Sequence, residues 1–188
     1  MTKEDIAEKV MLLSEASKDR ILIAVDGRCC AGKTTFAGYL SEKTGCNVFH
    51  MDDFFLRPEQ RTEARLNEPG GNVDRERFEA EVMTAILKND DIEYRRFDCR
   101  TMSLQPPVIV RKKKINIIEG AYCCHPDLFD KYDLRIFIDI SKEDQKERIL
   151  KRNGRQQWEI FRNRWIPMEE KYFEAFGIRE KSDIIMIM

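Results

Sequence analysis

The chain has no long apolar run. Its longest, Ile21–Val25 and Ile184–Met188, fall far short of the ~20 residues that a helix needs to cross a bilayer. It also has no surplus of either charge, with 33 Lys plus Arg against 34 Asp plus Glu and a formal net charge of −1. A protein that coats nucleic acid carries a basic excess or a basic stripe, so that class is set aside. A local phosphate site is not. Cysteine is present but badly spaced for metal or disulfides: positions 29, 30, 46, 99, 123 and 124 give two adjacent pairs and no Cys-x-x-Cys. The two histidines, His50 and His125, are too far apart in pattern to suggest a metal site. No repeat, low-complexity tract or Ser/Gly linker interrupts the sequence, so one domain spanning 1–188 is expected. The first residues, Met-Thr-Lys-Glu-Asp-Ile, carry acids where a secretory leader would be basic and then apolar. Six reduced thiols in a cytoplasmic protein is the economical expectation.

What remains is ample for a core. Of 188 residues 42% are hydrophobic, and a domain of this length buries about 70% of its unfolded surface. Ile6, Val10 and Leu13 recur at helical spacing behind Thr2, a plausible cap. Ile21–Val25, ending in Asp26-Gly27, reads as a buried parallel strand. A helix over 33–42 and a strand at Asn47–His50 follow, then an irregular stretch, 54–73, broken by Pro58, Pro69, Gly70 and Gly71. Asp74 is placed to cap a helix whose inner face is Phe78, Val82, Ala85 and Ile86. Residues 92–111 suggest one or two short strands at a sheet edge. Strands at Ile115–Glu119, Leu134–Asp139 and Ile184–Ile187 alternate with helices, the first of them opened by Ser141 with Asp144. That alternation predicts βαβ units and a parallel sheet covered on both faces.

Gly27-Arg-Cys-Cys-Ala-Gly32-Lys33-Thr34 matches G-x-x-x-x-G-K-[ST] at every fixed position. Chance gives such a match on the order of once in two hundred chains of this length, and here a strand precedes it and a helix follows it. The glycines allow a tight turn whose N–H groups point inward at phosphate oxygens, and the helix offers its positive end. Lys33 would neutralise phosphate charge and the Thr34 hydroxyl would ligate Mg²⁺. A bound nucleoside triphosphate is the expectation.

The acids decide among the proteins that use such a cradle. Asp52 and Asp53 follow the second strand directly, and ligands of open α/β sheets lie beyond the strands' carboxyl ends. One carboxylate there can take the proton of an attacking hydroxyl; the other could equally cap a short helix. Glu119 ends its strand where an acid can hold Mg²⁺. Arg148, Arg152 and Arg155 share a face if the helix runs through Gly154, and arginines on such a lid stabilise phosphoryl charge. The run Arg111–Lys114 reads as a solvated connection, and Trp158 and Trp165 read as core. Cys29 and Cys30 lie within the cradle, where a helix N-terminus can depress a thiol pKa, although packing is the commoner role.

With these residues in view the sequence resembles the uridine kinase group of P-loop kinases, which also contains nicotinamide riboside kinase, phosphoribulokinase and the bacterial pantothenate kinases. The resemblance rests on Val25-Asp26-Gly27-Arg28 leading into Ala31-Gly32-Lys33-Thr34-Thr35, on Asp52-Asp53-Phe54-Phe55, on Gly71-Asn72-Val73-Asp74, on Ile118-Glu119-Gly120 and on Arg152-Asn153-Gly154-Arg155. It covers roughly residues 20–188. It implies an α/β, P-loop NTPase-type three-layer sandwich with a mainly five-stranded parallel sheet. It further implies Asp52 as general base, Asp53 and Asp74 as substrate-binding acids, and Glu119 near Mg²⁺ with Thr34. Arg152 and Arg155 match lid arginines over a segment of about 148–158.

Two departures stand out. After Asp74 the nucleoside kinases usually show His-Pro-x-x-Phe-Asp, whereas this chain reads Arg75-Glu-Arg-Phe78-Glu79. Their base-reading Tyr-Asp-Phe segment has its best counterpart in Phe97-Asp98-Cys99. These differences bear on uridine or cytidine as substrate and leave the phosphotransfer machinery intact. The expected activity is transfer of the γ-phosphoryl group of Mg-ATP to a hydroxyl, most simply the 5′-hydroxyl of a nucleoside such as uridine. Nicotinamide riboside, pantothenate or a sugar phosphate is the alternative acceptor; a nucleotide-binding regulator with little turnover is the alternative class. A small-molecule partner is expected, with no nucleic-acid polymer and no membrane, and a homo-oligomer is compatible with the sequence. Acceptor selection is assigned to the segments 54–73 and 92–111.

Overall fold

A computed structural model describes residues 1–188, and its centre is a five-stranded parallel sheet. Helix α1 (Lys3–Ala16) begins with a reciprocal cap between Thr2 and Asp5. Strand β1 (Ile21–Gly27) is buried along its whole length and leads through the cradle into helix α2 (Lys33–Thr44). Strand β2 (Asn47–His50) runs into a 3-10 turn, Met51–Phe54. Strands β5 (Ile115–Glu119), β6 (Leu134–Asp139) and β7 (Ile184–Ile187) complete the sheet in the order β2-β5-β1-β6-β7. Every pairing within it is parallel.

The period of two along each strand divides the interior into two cores, one on each face of the sheet. Leu22, Ala24, Ile118 and Phe137 enter one; Ile23, Val25, Ile117 and Ile136 enter the other. No helix is long and apolar enough to cross a membrane.

The segment 54–73 is less irregular than its prolines and glycines suggest. It contains a 3-10 turn at Pro58–Gln60 and helix α3 (Glu63–Asn67), whose cap is the Thr62 side chain accepting from the Arg65 N–H. From Asp74 the chain is helical to Lys88, as α4 (Arg75–Phe78), a π turn at Glu79–Met83 and α5 (Thr84–Lys88). Phe78, Val82 and Ile86 are buried as the spacing requires, and Met83 joins them.

Residues 92–111 do not extend the sheet edge. They form a separate antiparallel ribbon of β3 (Ile92–Asp98) and β4 (Ser103–Val110). Pro106 and Pro107 remove one N–H donor from each edge of β4, which pairs with β3 alone. The basic run 111–114 is likewise more than a solvated connection. Lys112 donates to the Asn89 carbonyl at 3.0 Å and Lys113 to the Gly45 carbonyl at 2.7 Å, where α5 and α2 end.

After β5 come helix α6 (Pro126–Phe129), helix α7 (Lys142–Ile160), a π turn at Phe161–Trp165, and helices α8 (Ile166–Phe176) and α9 (Ile178–Lys181). Phe54 links the acid-bearing turn to α4 and the ribbon. Its ring lies 5.0 Å from Phe78 and 5.6 Å from Tyr94, with the Arg77 guanidinium 4.2 Å away. Phe54→Ala is expected to cost about 3–5 kcal/mol in urea unfolding. A loss under about 1 kcal/mol would show that the turn does not depend on this contact.

Candidate active site

Gly27 ends β1 at φ +137°, and a side chain there would meet the Ile138 carbonyl oxygen at 2.1 Å. Only glycine lets the loop leave the strand so close to β6. Gly32, at φ +99°, then starts α2, which has no side-chain cap and no acid in its first turn. Its first amides are therefore free for an anion. Lys33 folds back over the loop and donates to the Gly27 carbonyl at 2.6 Å and the Arg28 carbonyl at 2.9 Å. Ala31 is fully buried beneath the loop. Arg28 does not face the cavity; it clamps the loop to β6 and α8 through Asp139 and a fork on Glu170 at 2.7 and 3.0 Å.

A cavity of about 680 Å³ opens above the cradle and receives Gly32, Lys33, Thr34 and Thr35. The Thr34 hydroxyl donates to Glu119 Oε1 at 3.0 Å, and His50 Nδ1 lies 2.5 Å from the same oxygen. The carboxylate bond holds the His50 pKa above its usual value. Asp52 lines the cavity and is exposed; the protein surrounding its carboxylate raises its pKa while Lys33 lowers it. Asp53 turns away to the ribbon, 3.4 Å from both the Tyr94 hydroxyl and Arg96. The neighbouring acids are thus divided between cavity and scaffold.

The opposite wall comes partly from motif segments and partly from segments that the motifs do not cover. Phe55 and Asn72 are brought there by a bridge between Phe55 and Val73 and by the Leu56 N–H bonded to the Asn72 carbonyl at 3.3 Å. Tyr122, from the turn after β5, has φ +75°, a strained backbone for a non-glycine residue. Phe161 and Trp165 line the cavity rather than the core, and Glu169 follows one helical turn after Trp165. The Glu169 carboxylate accepts from the Cys29 N–H at 2.9 Å, and burial pushes its pKa up to about 7. Burial, reinforced by Glu169, also pushes the Cys29 thiol well up, and Cys30 rises for the same first reason. Both thiols stay protonated at neutral pH, so the helix end does not make them nucleophiles.

Other expected site residues are elsewhere. Asp74 is 2% exposed, caps α4 by accepting from the Arg77 N–H at 3.2 Å, and faces Arg57 and Arg77 rather than the cavity. Phe97 is buried under the ribbon with Arg61 5.8 Å from its ring, and Asp98 accepts from the Arg100 N–H in the hairpin turn. No residue of 92–111 lines the cavity. On α7, Arg148, Lys151 and Arg152 line it but Arg155, from the expected lid, does not. Gly154 has φ +80° and ψ 174°, which breaks the helix and resets the face before Arg155. Trp165 followed by Glu169 at i, i+4, and Tyr122 just past Glu119-Gly120, were the sequence signals available for the wall.

The donors present fit a magnesium nucleotide. Thr34, from the start of α2, and Glu119, from the end of β5, supply hard oxygens, the type Mg²⁺ takes, and Lys33 and Asp52 line the same cavity. A phosphate cradle at the end of β1, with acids in the turn after β2 and at the end of β5, defines the P-loop α/β fold.

No protein-family model and no curated protein matches the chain. Three solved structures, each described only provisionally as a kinase, share its fold. A uridine kinase from Bacillus stearothermophilus is 18% identical over 97% of this chain and 99% of that one, with TM-score 0.67. A fructose transport system kinase from Silicibacter sp. TM1040 is 20% identical over 98% of each chain, with TM-score 0.73. YFH7 from Saccharomyces cerevisiae, a P-loop containing kinase with a circular permutation, is 14% identical over 100% and 99%, with TM-score 0.69. At these identities the likeness is one of fold.

Burial of Glu169 has a consequence for stability. Between its ordinary value of 4.5 and about 7 the folded chain holds a proton there that the unfolded chain has released. The contribution favours folding at low pH and is lost as pH rises through that window. Glu169→Gln is therefore expected to gain stability relative to the parent as pH rises from about 5 to about 8. Parallel stability profiles for the two proteins would show that Glu169 titrates normally.

Proposed function

We propose that the chain transfers the γ-phosphoryl group of Mg-ATP to a hydroxyl of a small molecule, most simply the 5′-hydroxyl of a nucleoside such as uridine. One observation carries the reading. A single cavity is shared by a phosphate cradle, a carboxylate free to accept a proton, lid cations and an aromatic wall able to hold an organic acceptor. Magnesium, held by Thr34 and Glu119, would offset charge on the β- and γ-phosphates.

The chain's own residues do the rest. Lys33 leaves its two loop carbonyls for the phosphates, and the free amides at the start of α2 meet phosphate oxygens. The acceptor oxygen attacks the γ-phosphorus, its bond to the β-phosphate oxygen breaks, and Asp52 takes the hydroxyl proton. A pKa raised by the surrounding protein brings the Asp52 carboxylate nearer to a working base at neutral pH. Arg148 and Arg152 offset charge on the transferring group from the lid. Phe55, Tyr122, Phe161 and Trp165 offer flat apolar surface to the acceptor, and Asn72 and Glu169 offer polar contacts beside it. The fold neighbours described as kinases are consistent with this chemistry without specifying the acceptor.

The test is ATP consumption over a panel of nucleosides, ribosylated vitamins and sugars. Turnover with one of them is expected, and Asp52→Asn should keep ATP binding while lowering kcat by about 10²–10⁴. No acceptor above background despite clean ATP binding would favour a regulator; an unaltered rate in D52N would remove Asp52 from the mechanism. In the lid, Arg152→Ala is expected to lower kcat by about 10²–10³, whereas Arg155→Ala should stay near the parent rate. The reverse order would mean that the lid rotates Arg155 into the site.

A further inference from the structure

Three carboxylates, Asp52, Glu119 and Glu169, line one cavity, and a fourth, Asp26, is buried beneath the cradle. A triphosphate brings more negative charge into the same space, and like charges in a water-poor site raise one another's proton affinity. One of the four must then hold a proton most readily. Asp26 accepts from the Gly27 N–H at 2.7 Å, the Cys124 N–H at 2.9 Å and the Tyr172 hydroxyl at 2.8 Å, so its charge is well compensated. Glu119 is engaged by Thr34 and His50. Asp52 must be ionised to take a proton from the acceptor. Glu169 is held by one residue, Cys29, whose N–H donates to it at 2.9 Å. Its protonated form keeps that bond through the carbonyl oxygen, so protonation there breaks no contact.

Resting on the nucleotide site proposed above, we propose that Glu169 is a proton-binding site coupled to the nucleotide, taking up a proton from solvent when a triphosphate enters the cavity. The groups that face it are Lys33 from α2, Asp26 from β1, the Cys29 and Cys30 thiols of the cradle, and Tyr122 from the turn after β5. On its own helix Glu170 is committed to Arg28. Lys33 is the cation that favours the ionised form of Glu169, and the incoming phosphates draw that ammonium to themselves. Entry of the nucleotide thus adds a like charge and removes a compensating one. Both changes raise the proton affinity of Glu169. Burial, opposed by Lys33 and by the bond from Cys29, already brings this carboxyl to about 7 before any nucleotide enters, so the uptake falls in the neutral range.

Calorimetric titration with Mg-ATPγS, in two buffers of different ionisation enthalpy, counts the protons directly. The parent protein is expected to take up close to one proton at about pH 8 and almost none at about pH 6, with affinity weakening toward tenfold per pH unit above about 7. Glu169→Gln, which mimics the protonated acid, should bind with no uptake and with flat affinity over the same range. Uptake in E169Q equal to the parent's, or none in the parent at about pH 8, would overturn the proposal. The parent's proton count needs no variant to fold, and circular dichroism checks E169Q. A parent that fails to bind Mg-ATPγS at all would instead refute the nucleotide site, for which Lys33→Met provides the reference of a disabled cradle.

Discussion

Asp26 carries a fully buried carboxylate that accepts hydrogen bonds from three separate parts of the chain: the Gly27 N–H at the mouth of the cradle, the Cys124 N–H in the turn after β5, and the Tyr172 hydroxyl on α8. Burial pushes its pKa up, against which these donors and the Lys33 charge pull it down. Such a group is costly to strand, since an uncompensated buried charge destabilises by several kcal/mol. The three elements must therefore arrive together. The cradle, the turn that carries Tyr122 and the helix that carries Glu169 form the three walls of the cavity, so one buried acid registers all of them. The Arg28 clamp on Asp139 and Glu170 repeats the same tie from the solvent side.

A second tie, on the other side of the cavity, distributes the acids. Phe54 anchors the turn after β2 in the core, with Phe78 and Tyr94 against it. Asp52 and Asp53, adjacent in sequence, then point to different surroundings: the first into the cavity, the second to Tyr94 and Arg96. A 3-10 turn separates consecutive side chains by about 120°, enough to give two neighbouring carboxylates unrelated roles. The Asp74 carboxylate, expected at the acceptor, is occupied with the start of α4. Its neighbour Asn72 is the residue of that segment that reaches the cavity.

Legibility in the sequence followed the range of the interaction. Strand β1, the cradle and α2 were readable because their signals are consecutive: an apolar run, glycines at a fixed spacing, then helical periodicity. Thr34 and Glu119 were also readable as a pair, since each ends or follows a strand of the parallel sheet and strand ends converge. The arginines of α7 were only half readable. Helical spacing grouped Arg148, Arg152 and Arg155, but Gly154 leaves the helical region and separates the last from the other two. The ribbon at 92–111 was readable as strands but not as a separate sheet, because whether a strand joins a sheet depends on which edge is free when it arrives.

By itself the sequence determined the α/β alternation, the phosphate cradle and the acids at the strand ends, all of which follow from local backbone preference and short-range periodicity. Tertiary structure alone decided which acid faces the cavity, which arginines of α7 reach it, and that Tyr122, Phe161, Trp165 and Glu169 rather than the ribbon form its far wall. Tyr122 and the segment 161–169 are distant in sequence and are brought to one surface by the Asp26 bonds to Cys124 and Tyr172 and by the contact of the Tyr122 and Tyr172 rings, 5.0 Å apart. Periodicity along the chain carries no record of such contacts. The near-neutral charge of the whole chain resolves, at this one site, into carboxylates and cations held close enough for the pKa of Glu169 to be moved.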